Sequence, residues 1–218
     1  YQSNRAMRLW DGSSGWRAGV KKVLPIAQAS NKKTLEFRCR ISALPTTGMI
    51  LIPIYGTVSN VEGIVFYVAI VGSTSTQGVV KYNNGTAWVQ IGTATLPIST
   101  SVWKLVKIAA DESANTASLY IDNVLMGSFP MYANTTSATN LTGFGFNSNG
   151  TVPSGESIYL DDINFYDPTV SGGSGVSSLA SEDVLMSDFA GNSATADFAN
   201  GDFSITVTPN PASDVVKL

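Results

Sequence analysis

Apolar and polar residues alternate along much of the chain, and residues 35–41 show the pattern most clearly. Leu35, Phe37, Cys39 and Ile41 alternate there with charged residues. Because successive side chains of a strand point to opposite faces, this segment is predicted to be a half-buried β-strand.

Two further segments, 49–55 and 64–71, are nearly continuous apolar runs rich in β-branched and aromatic residues. Such runs predict strands that are covered on both faces or that line a groove. Pro53 cannot donate a ladder hydrogen bond, so the first run is expected to contain a bulge or to lie at a sheet edge.

Turn residues separate the strand-like segments. Asn83-Asn84-Gly85 predicts a tight hairpin, because Asn and Gly accept the positive φ angles of such turns, and Asp122-Asn123 predicts another turn. About ten short strands follow one another without a convincing amphipathic helix. The sequence therefore predicts an all-β fold, an antiparallel sandwich or barrel.

Composition excludes several chemistries. The 218 residues contain no His and one Cys, so a Ser/His/Asp or Cys/His nucleophile and an imidazole metal ligand are impossible. With 13 basic and 16 acidic residues, the net charge of −3 disfavours nucleic acid and anionic membranes as partners. No apolar run reaches the roughly 18 residues that a membrane-spanning helix needs.

A Gly/Ser run at 171–175 predicts a domain boundary. We expect a sandwich domain at 1–168 and a Gly/Ser-rich, acidic linker at 169–202. Strand-like alternation returns at 203–218, which we expect to begin a further unit.

Residues 103–108, which open on Trp103, and residues 117–123, which read Ala-Ser-Leu-Tyr-Ile-Asp-Asn, resemble the central signature of laminin-G-like jelly rolls. These belong to the concanavalin A-like lectin/glucanase superfamily. The hairpin at 82–88 and the strand at 158–165 extend the resemblance over residues 6–167. It implies a jelly-roll β-sandwich with Trp103 in the core, and carbohydrate binding or adhesion as the function.

The C-terminal residues 207–214, Val-Thr-Pro-Asn-Pro-Ala-Ser-Asp, resemble the opening of the type A sorting domain of the type IX secretion system of Bacteroidetes. The family's domain continues for several more strands, so 203–218 is expected to be a truncated start of it. This resemblance implies a protein that is secreted or held at the outer-membrane surface, with further domains covalently attached.

Asp161 and Asp162 are adjacent in a predicted strand, so one of them is expected near the core unless a bulge intervenes. A cation would offset the cost of burying that charge. Jelly-roll carbohydrate-binding modules that resemble this chain often use such a pair, with oxygens near the N-terminus, to hold a structural Ca²⁺, which implies Asp11 as a further ligand. The alternative is an aspartate that is paired with arginine or solvated.

Catalytic motifs are sparse. The glucanase branch of the superfamily carries a Glu-x-Asp-x-Glu strand, which this sequence lacks, and Glu36, Glu62, Asp122 and Glu156 are isolated acids. Jelly-roll lyases usually pair Tyr with His or Arg, and proton abstraction by Tyr67 or Tyr82 with Lys or Arg stays open here.

Aromatic residues near turns are the candidates for sugar stacking: Trp88, Tyr82 and Trp16, with Asn84 as a polar partner in the hairpin turn. Core packing is an equal alternative for Trp88 and Tyr82. We therefore expect a non-catalytic module that binds a polysaccharide or glycan; the alternatives are a jelly-roll polysaccharide-degrading enzyme and a structural spacer.

Overall fold

The structure, a computed structural model, describes residues 6–10, 19–23, 30–58, 61–131, 138–148, 157–169, 184–187, 193–197 and 204–208. Within these ranges the chain is all-β, as predicted, and its strands form two antiparallel sheets that pack face to face as a sandwich. No helix long and apolar enough to cross a bilayer occurs in the described part of the chain.

In chain order the strands are β1 (Met7–Trp10), β2 (Gly19–Val23), β3 (Lys32–Ala43), β4 (Met49–Val58), β5 (Val61–Thr74), β6 (Gln77–Asn83), β7 (Trp88–Pro97), β8 (Lys104–Asp111), β9 (Thr116–Ile121), β10 (Val124–Pro130), β11 (Ala138–Ser148), β12 (Ser157–Tyr166), β13 (Val184–Ser187), β14 (Ser193–Asp197) and β15 (Ser204–Thr208). Sheet I has the order β1-β12-β3-β8-β9-β10. Sheet II has the order β15-β14-β13-β2-β11-β4-β5-β6-β7.

The alternation in β3 is confirmed. Its apolar positions, which include Phe37 and Cys39, are buried, while the intervening charged side chains lie on the outer face of sheet I. Phe37 meets Phe146 of sheet II edge to face, with ring centroids 4.9 Å apart. Such aromatic contacts across the sandwich bury large apolar areas and hold the two sheets together.

The apolar runs form β4 and β5 in the middle of sheet II. Leu51 and Ala69 are only 8% and 0% exposed although they alternate with core residues, so these positions are buried, whereas Tyr55 and Tyr67 on the same outer face stay partly exposed. The edge position proposed for Pro53 is wrong, because β4 lies between β11 and β5. The alternative, a bulge, is confirmed, since the register shifts between Ile54 and Tyr55.

Both predicted turns are present. Gly85 has a φ of 95°, and the side-chain oxygen of Asn84 accepts hydrogen bonds from the N–H groups of Thr86 and Ala87 at 3.0 and 2.8 Å. Asp122 and Asn123 have φ angles of 50° and 66°, the left-handed conformation that Asn and Asp tolerate.

Three short strands, β13 to β15, lie within 184–208, the region expected to hold the linker and the start of a further unit. They pair with one another in order, and β13 pairs with β2 through Leu185 and Lys21. The division of the chain into domains stays a prediction.

A buried ion pair joins the start of β3 to the end of β12. Lys33 Nζ lies 3.1 Å from Asp167 Oδ2, with side-chain exposures of 0% and 3%. The ammonium also donates to the carbonyls of Ser30 and Lys32, and the carboxylate accepts hydrogen bonds from Ser30 and Thr169. Every charge-bearing atom therefore has partners, which a buried pair requires.

Burial by itself would raise the pKa of Asp167, but hydrogen bonds from Thr169, Ser30 and Lys33 outweigh it and hold the pKa below its ordinary value of 3.8. A carboxyl whose pKa is lowered by folding stabilises the protein above its unfolded pKa. That contribution is lost as the pH falls through the folded value.

We predict that Asp167→Asn lowers the free energy of unfolding by about 3–5 kcal/mol at neutral pH, because it leaves the Lys33 ammonium buried without a counter-charge. The double variant Lys33→Met/Asp167→Asn should regain much of this loss. Denaturant unfolding at several pH values measures both effects. The assignment would be contradicted if Asp167→Asn were as stable as wild type at neutral pH. It would also be contradicted if the variant lost as much stability in acid as wild type does.

Candidate functional site

A sandwich has two outer faces, each formed by the side of a sheet that points away from the other sheet, and these are where a surface site can lie. Their aromatic residues are in different environments. On the outer face of sheet I, the guanidinium carbon of Arg40 lies 4.1 Å from the ring centroid of Tyr159 and 5.3 Å from that of Trp103. Arg8 lies 5.6 Å from the Tyr159 centroid, and Lys107 lies 4.9 Å from that of Tyr120.

The position of Trp103 corrects a sequence-based expectation. The side chain is half-buried against Arg40 rather than inside the core, because Trp103 precedes β8 and its ring lies over the outer face of sheet I. Cation–π contacts thus cover aromatic ring faces that a sugar would need for stacking.

The outer face of sheet II carries a row of residues that crosses five strands. The register pairs Pro53 of β4 with Tyr67 of β5, and Asn83 of β6 with Trp88 of β7. One step beyond the Val68–Tyr82 pair, Tyr67 lies opposite Asn83. The rings of Tyr67 and Trp88 meet at 69°, with centroids 6.3 Å apart.

We call this surface the sheet II platform and define it by outward positions of β11, β4, β5, β6 and β7: Leu51, Pro53, Tyr55, Glu62, Tyr67, Ala69, Lys81, Asn83, Trp88, Gly143, Gly145 and Asn147. At its centre Leu51, Pro53 and Ala69 are buried although they point away from sheet I. Trp88 and Tyr67 are half-buried. Among the side chains that the structure describes, no lysine or arginine covers either ring.

The tyrosines of the platform are neutral hydrogen-bonding groups. Burial, with smaller contributions from the nearby Tyr67 and Glu62, raises the pKa of Tyr55 to about 12. Burial also raises the pKa of Tyr67. A phenol that is to abstract a proton needs a lowered pKa, so these two side chains suit hydrogen bonding to hydroxyl groups better than general-base chemistry.

Other nucleophiles and acid pairs are scarce near the platform. Glu62 is the single acidic residue in the five platform strands, so they hold no pair of carboxylates with glycosidase spacing. Cys39 is buried in the core, where burial, with a smaller contribution from Asp122, raises the pKa of the thiol to about 12. It is therefore a thiol and no nucleophile.

The residues predicted to bind sugar separate in the structure. Trp88 lies on the platform, but Tyr82 points to the opposite side of sheet II and stacks on Phe129, with centroids 5.0 Å apart. The side-chain oxygen of Asn84 holds the hairpin turn. Trp16 lies outside the described residues, so the proposed set of Trp88, Tyr82, Trp16 and Asn84 stays a prediction as a whole.

Tyr55 is the platform residue that the sequence analysis missed, and Tyr67 enters as a hydrogen-bonding and stacking residue rather than as a base. A signal for both was available in the apolar runs, where an aromatic residue alternates with the core positions. Alternation along each strand could not show that β4 and β5 lie side by side in sheet II.

The predicted metal ligands lie on sheet I. The register of β12 shifts between Asp161 and Asn164, and Asp162 has a φ of 49°, so a bulge is present. Asp162 Oδ2 lies 3.3 Å from Arg38 Nε, the arginine pairing named as the alternative to calcium. Asp161 Oδ1 accepts a hydrogen bond from the Asp162 N–H, whereas its Oδ2 is buried without a hydrogen-bond partner.

The third predicted ligand, Asp11, lies outside the described residues. Within the described ranges, no group of three or more His, Cys, Asp and Glu residues could hold a metal ion. The calcium site at Asp161, Asp162 and Asp11 therefore stays a prediction.

No family model matches the chain, and no curated protein matches it in sequence. Solved structures do match. A sialidase superposes with a TM-score of 0.56 at 10% identity over 77% of this chain, which spans only 16% of the sialidase. A family 7 alginate lyase in complex with its substrate gives 0.51 at 14% identity, covering 76% of this chain and 82% of the lyase. The carbohydrate recognition domain of Emp47p gives a TM-score of 0.50 at 13% identity, covering 76% of this chain and 86% of the recognition domain. At these identities the matches show the fold alone: the chain is an antiparallel jelly-roll β-sandwich.

Proposed function

We propose that the chain is a non-catalytic carbohydrate-binding module and that the sheet II platform is its binding site. The observation that carries this proposal is the Tyr67–Trp88 pair, which lies on the outer face of sheet II with neither ring covered by a described cation. Sugars present apolar C–H faces that pack on aromatic rings, and hydroxyls that need hydrogen-bonding groups close by.

The platform has the dimensions and chemistry for a segment of glycan. Five strands at about 4.8 Å spacing make it about 19 Å across, enough for several sugar units. Tyr55, Asn147 and Lys81 supply hydroxyl, amide and ammonium groups on the same face. The similar structures include a carbohydrate recognition domain, which agrees with this proposal.

The second candidate is a polysaccharide-cleaving enzyme, favoured by the similarity to an alginate lyase. The raised pKa values of Tyr55 and Tyr67 and the single carboxylate in the platform strands argue against it. A structural spacer without ligand is the third candidate. It would leave the half-buried aromatic pair without a role.

We predict that Trp88→Ala weakens glycan binding at least about tenfold, the loss of one well-packed aromatic contact, while the fold is retained. The matched control is Trp103→Ala, which removes the same side chain from the opposite face and should leave binding unchanged. Glycan-array screening followed by calorimetry measures affinity, and circular dichroism checks the fold. Equal weakening by both variants would contradict the site assignment.

The enzyme alternative has its own measurement. The protein is incubated with alginate, glucuronan and neutral polysaccharides, and chain length is followed by size-exclusion chromatography. We expect no shortening by wild type. Depolymerisation that disappears in Tyr67→Phe would replace the binding proposal with the lyase.

We further propose that a structural Ca²⁺ binds at Asp161 rather than Asp162. The buried Asp161 Oδ2 has no hydrogen-bond donor, and a hard cation is the partner that such an oxygen suits. Asp162 is already paired with Arg38, so its carboxylate is the weaker candidate.

We predict that calcium raises the melting temperature and that Asp161→Asn abolishes the rise, while Asp162→Asn keeps it. Thermal unfolding with added calcium or chelator measures the effect, since a ligand bound only by the native state stabilises it by mass action. If neither calcium nor chelator moves the melting temperature of wild type, the metal proposal fails.

Export is the remaining part of the proposal. The similarity of residues 207–214 to a sorting domain supports secretion or surface attachment beside covalently linked domains. The net charge of −3 keeps nucleic acid and anionic membranes disfavoured as partners. Fractionation of the producing cells tests the location, and recovery of the protein in the cytoplasm would contradict it.

A further inference from the structure

We infer that the platform binds glycans whose successive sugar rings are inclined to one another, such as β-1,3- or α-1,4-linked glucans, in preference to flat β-1,4-linked ribbons. The angle between the rings of Tyr67 and Trp88 carries this inference. It rests on the proposed function, because it names the class of glycan that the platform takes.

The first step is the placement of the two rings. Asn83 of β6 pairs with Trp88 of β7 on one side, and on its other side it lies opposite Tyr67 of β5, one step beyond the Val68–Tyr82 pair. Two strand spacings put the Cα atoms of Tyr67 and Trp88 about 10 Å apart. Their ring centroids are only 6.3 Å apart, so the two rings lean toward each other above β6.

The second step is what keeps the rings in this arrangement. Their planes meet at 69°, an edge-to-face contact of the kind that aromatic pairs favour. Asn83 lies between them, and its side-chain oxygen accepts a hydrogen bond from the Gly85 N–H of the hairpin turn at 2.7 Å. A short side chain at this position lets the rings meet above it. Rotating the rings into one plane would give up the contact between them.

The third step is the plane of the ligand. A sugar stacks on an aromatic ring when its C–H face lies parallel to that ring. Because the planes of Tyr67 and Trp88 differ by 69°, a flat ligand can lie parallel to only one of them. Two sugars that are inclined to each other can lie parallel to one ring each. A flat chain therefore uses one aromatic contact where a turning chain uses two.

Linkage chemistry decides which glycans turn. In a β-1,4-linked glucan both linkage bonds are equatorial and lie on opposite sides of the sugar ring. The chain therefore runs straight, and its rings stay nearly parallel. A linkage at C3, or an axial bond at C1, bends the chain and inclines each ring to the next. Glucans of the three kinds consist of the same sugar, so they differ in linkage alone.

The experiment compares glucose hexasaccharides with β-1,4, β-1,3 and α-1,4 linkages. Calorimetry measures their affinities for wild type, Trp88→Ala, Tyr67→Ala and Tyr67→Phe. Tyr120→Ala is the matched control, since Tyr120 lies under Lys107 on the outer face of sheet I. A glycan array with flat β-1,4-linked mannan and chitin oligosaccharides, beside turning glycans of other sugars, extends the comparison. Circular dichroism checks that each variant is folded.

For wild type we expect the β-1,3- or the α-1,4-linked hexasaccharide to bind about three- to tenfold more tightly than the β-1,4-linked one, the fold-change of one further aromatic contact. Tyr67→Ala should remove this preference, because a single ring then remains. Tyr67→Phe keeps the ring and should keep the preference. Tyr120→Ala should also keep it, because its side chain lies on the other face.

Two results would overturn the inference and leave the proposed function intact. One is equal or tighter binding of a flat β-1,4-linked chain, on the panel or on the array, that Trp88→Ala weakens. The other is a preference for turning chains that Tyr67→Ala does not reduce. Tightest binding of a turning chain built from another sugar, weakened by both Tyr67→Ala and Trp88→Ala, would support the inference. If neither the hexasaccharides nor the array shows binding, the proposed function fails, and the inference fails with it.

Discussion

Burial of one face of each sheet against the other is the constraint on which the rest of this structure depends. Phe37 of sheet I and Phe146 of sheet II meet edge to face, and the buried apolar positions of both sheets form one continuous cluster around them. Because side chains alternate along a strand, assigning these positions to the core sends every intervening residue to an outer face. Chemistry that this scaffold carries in its strands therefore has to lie on one of two surfaces.

The two surfaces differ because their charges differ. The strands of sheet I place arginines and lysines among tyrosines, and the resulting cation–π contacts cover the rings. In the five platform strands of sheet II, Lys81 is the single basic residue. The centre of the platform is made of buried residues, among them Leu51 and Ala69. The same fold thus presents one face whose aromatic rings are covered by cations and another whose Tyr67–Trp88 pair meets no cation among the described residues.

The ion pair between Lys33 and Asp167 is a charged contact in the interior of the sandwich. It joins the start of β3 to the end of β12, and Ser30 and Thr169 complete the hydrogen bonds of the carboxylate. A buried pair of this kind adds little net stability compared with apolar residues, but it strongly disfavours any arrangement that separates its partners. It therefore favours one pairing of these two strands over alternatives.

Much of the fold was predictable from the residues. Period-two alternation identifies β3, and the Asn-Gly and Asp-Asn dipeptides identify turns, because both signals depend on neighbours in the chain. The candidate site was harder to predict from the sequence. Trp88 was named for its place beside a turn, yet its neighbour across the hairpin is Asn83, while Tyr82 points into the core. Tyr55 was missed, because its alternation with core positions did not show which strands lie beside it, and Trp103 was expected inside.

The sequence by itself determined the all-β class, the alternation of β3, the two turns and the absence of histidine-based chemistry, since these follow from local pattern and composition. Tertiary structure decided which aromatic rings are covered by cations, that Asp162 pairs with Arg38, and that Tyr55, Tyr67 and Trp88 share one outer face. The physical reason is that these contacts join strands far apart in the chain. Their register and sheet order are set by the packing of the whole core and not by any local signal.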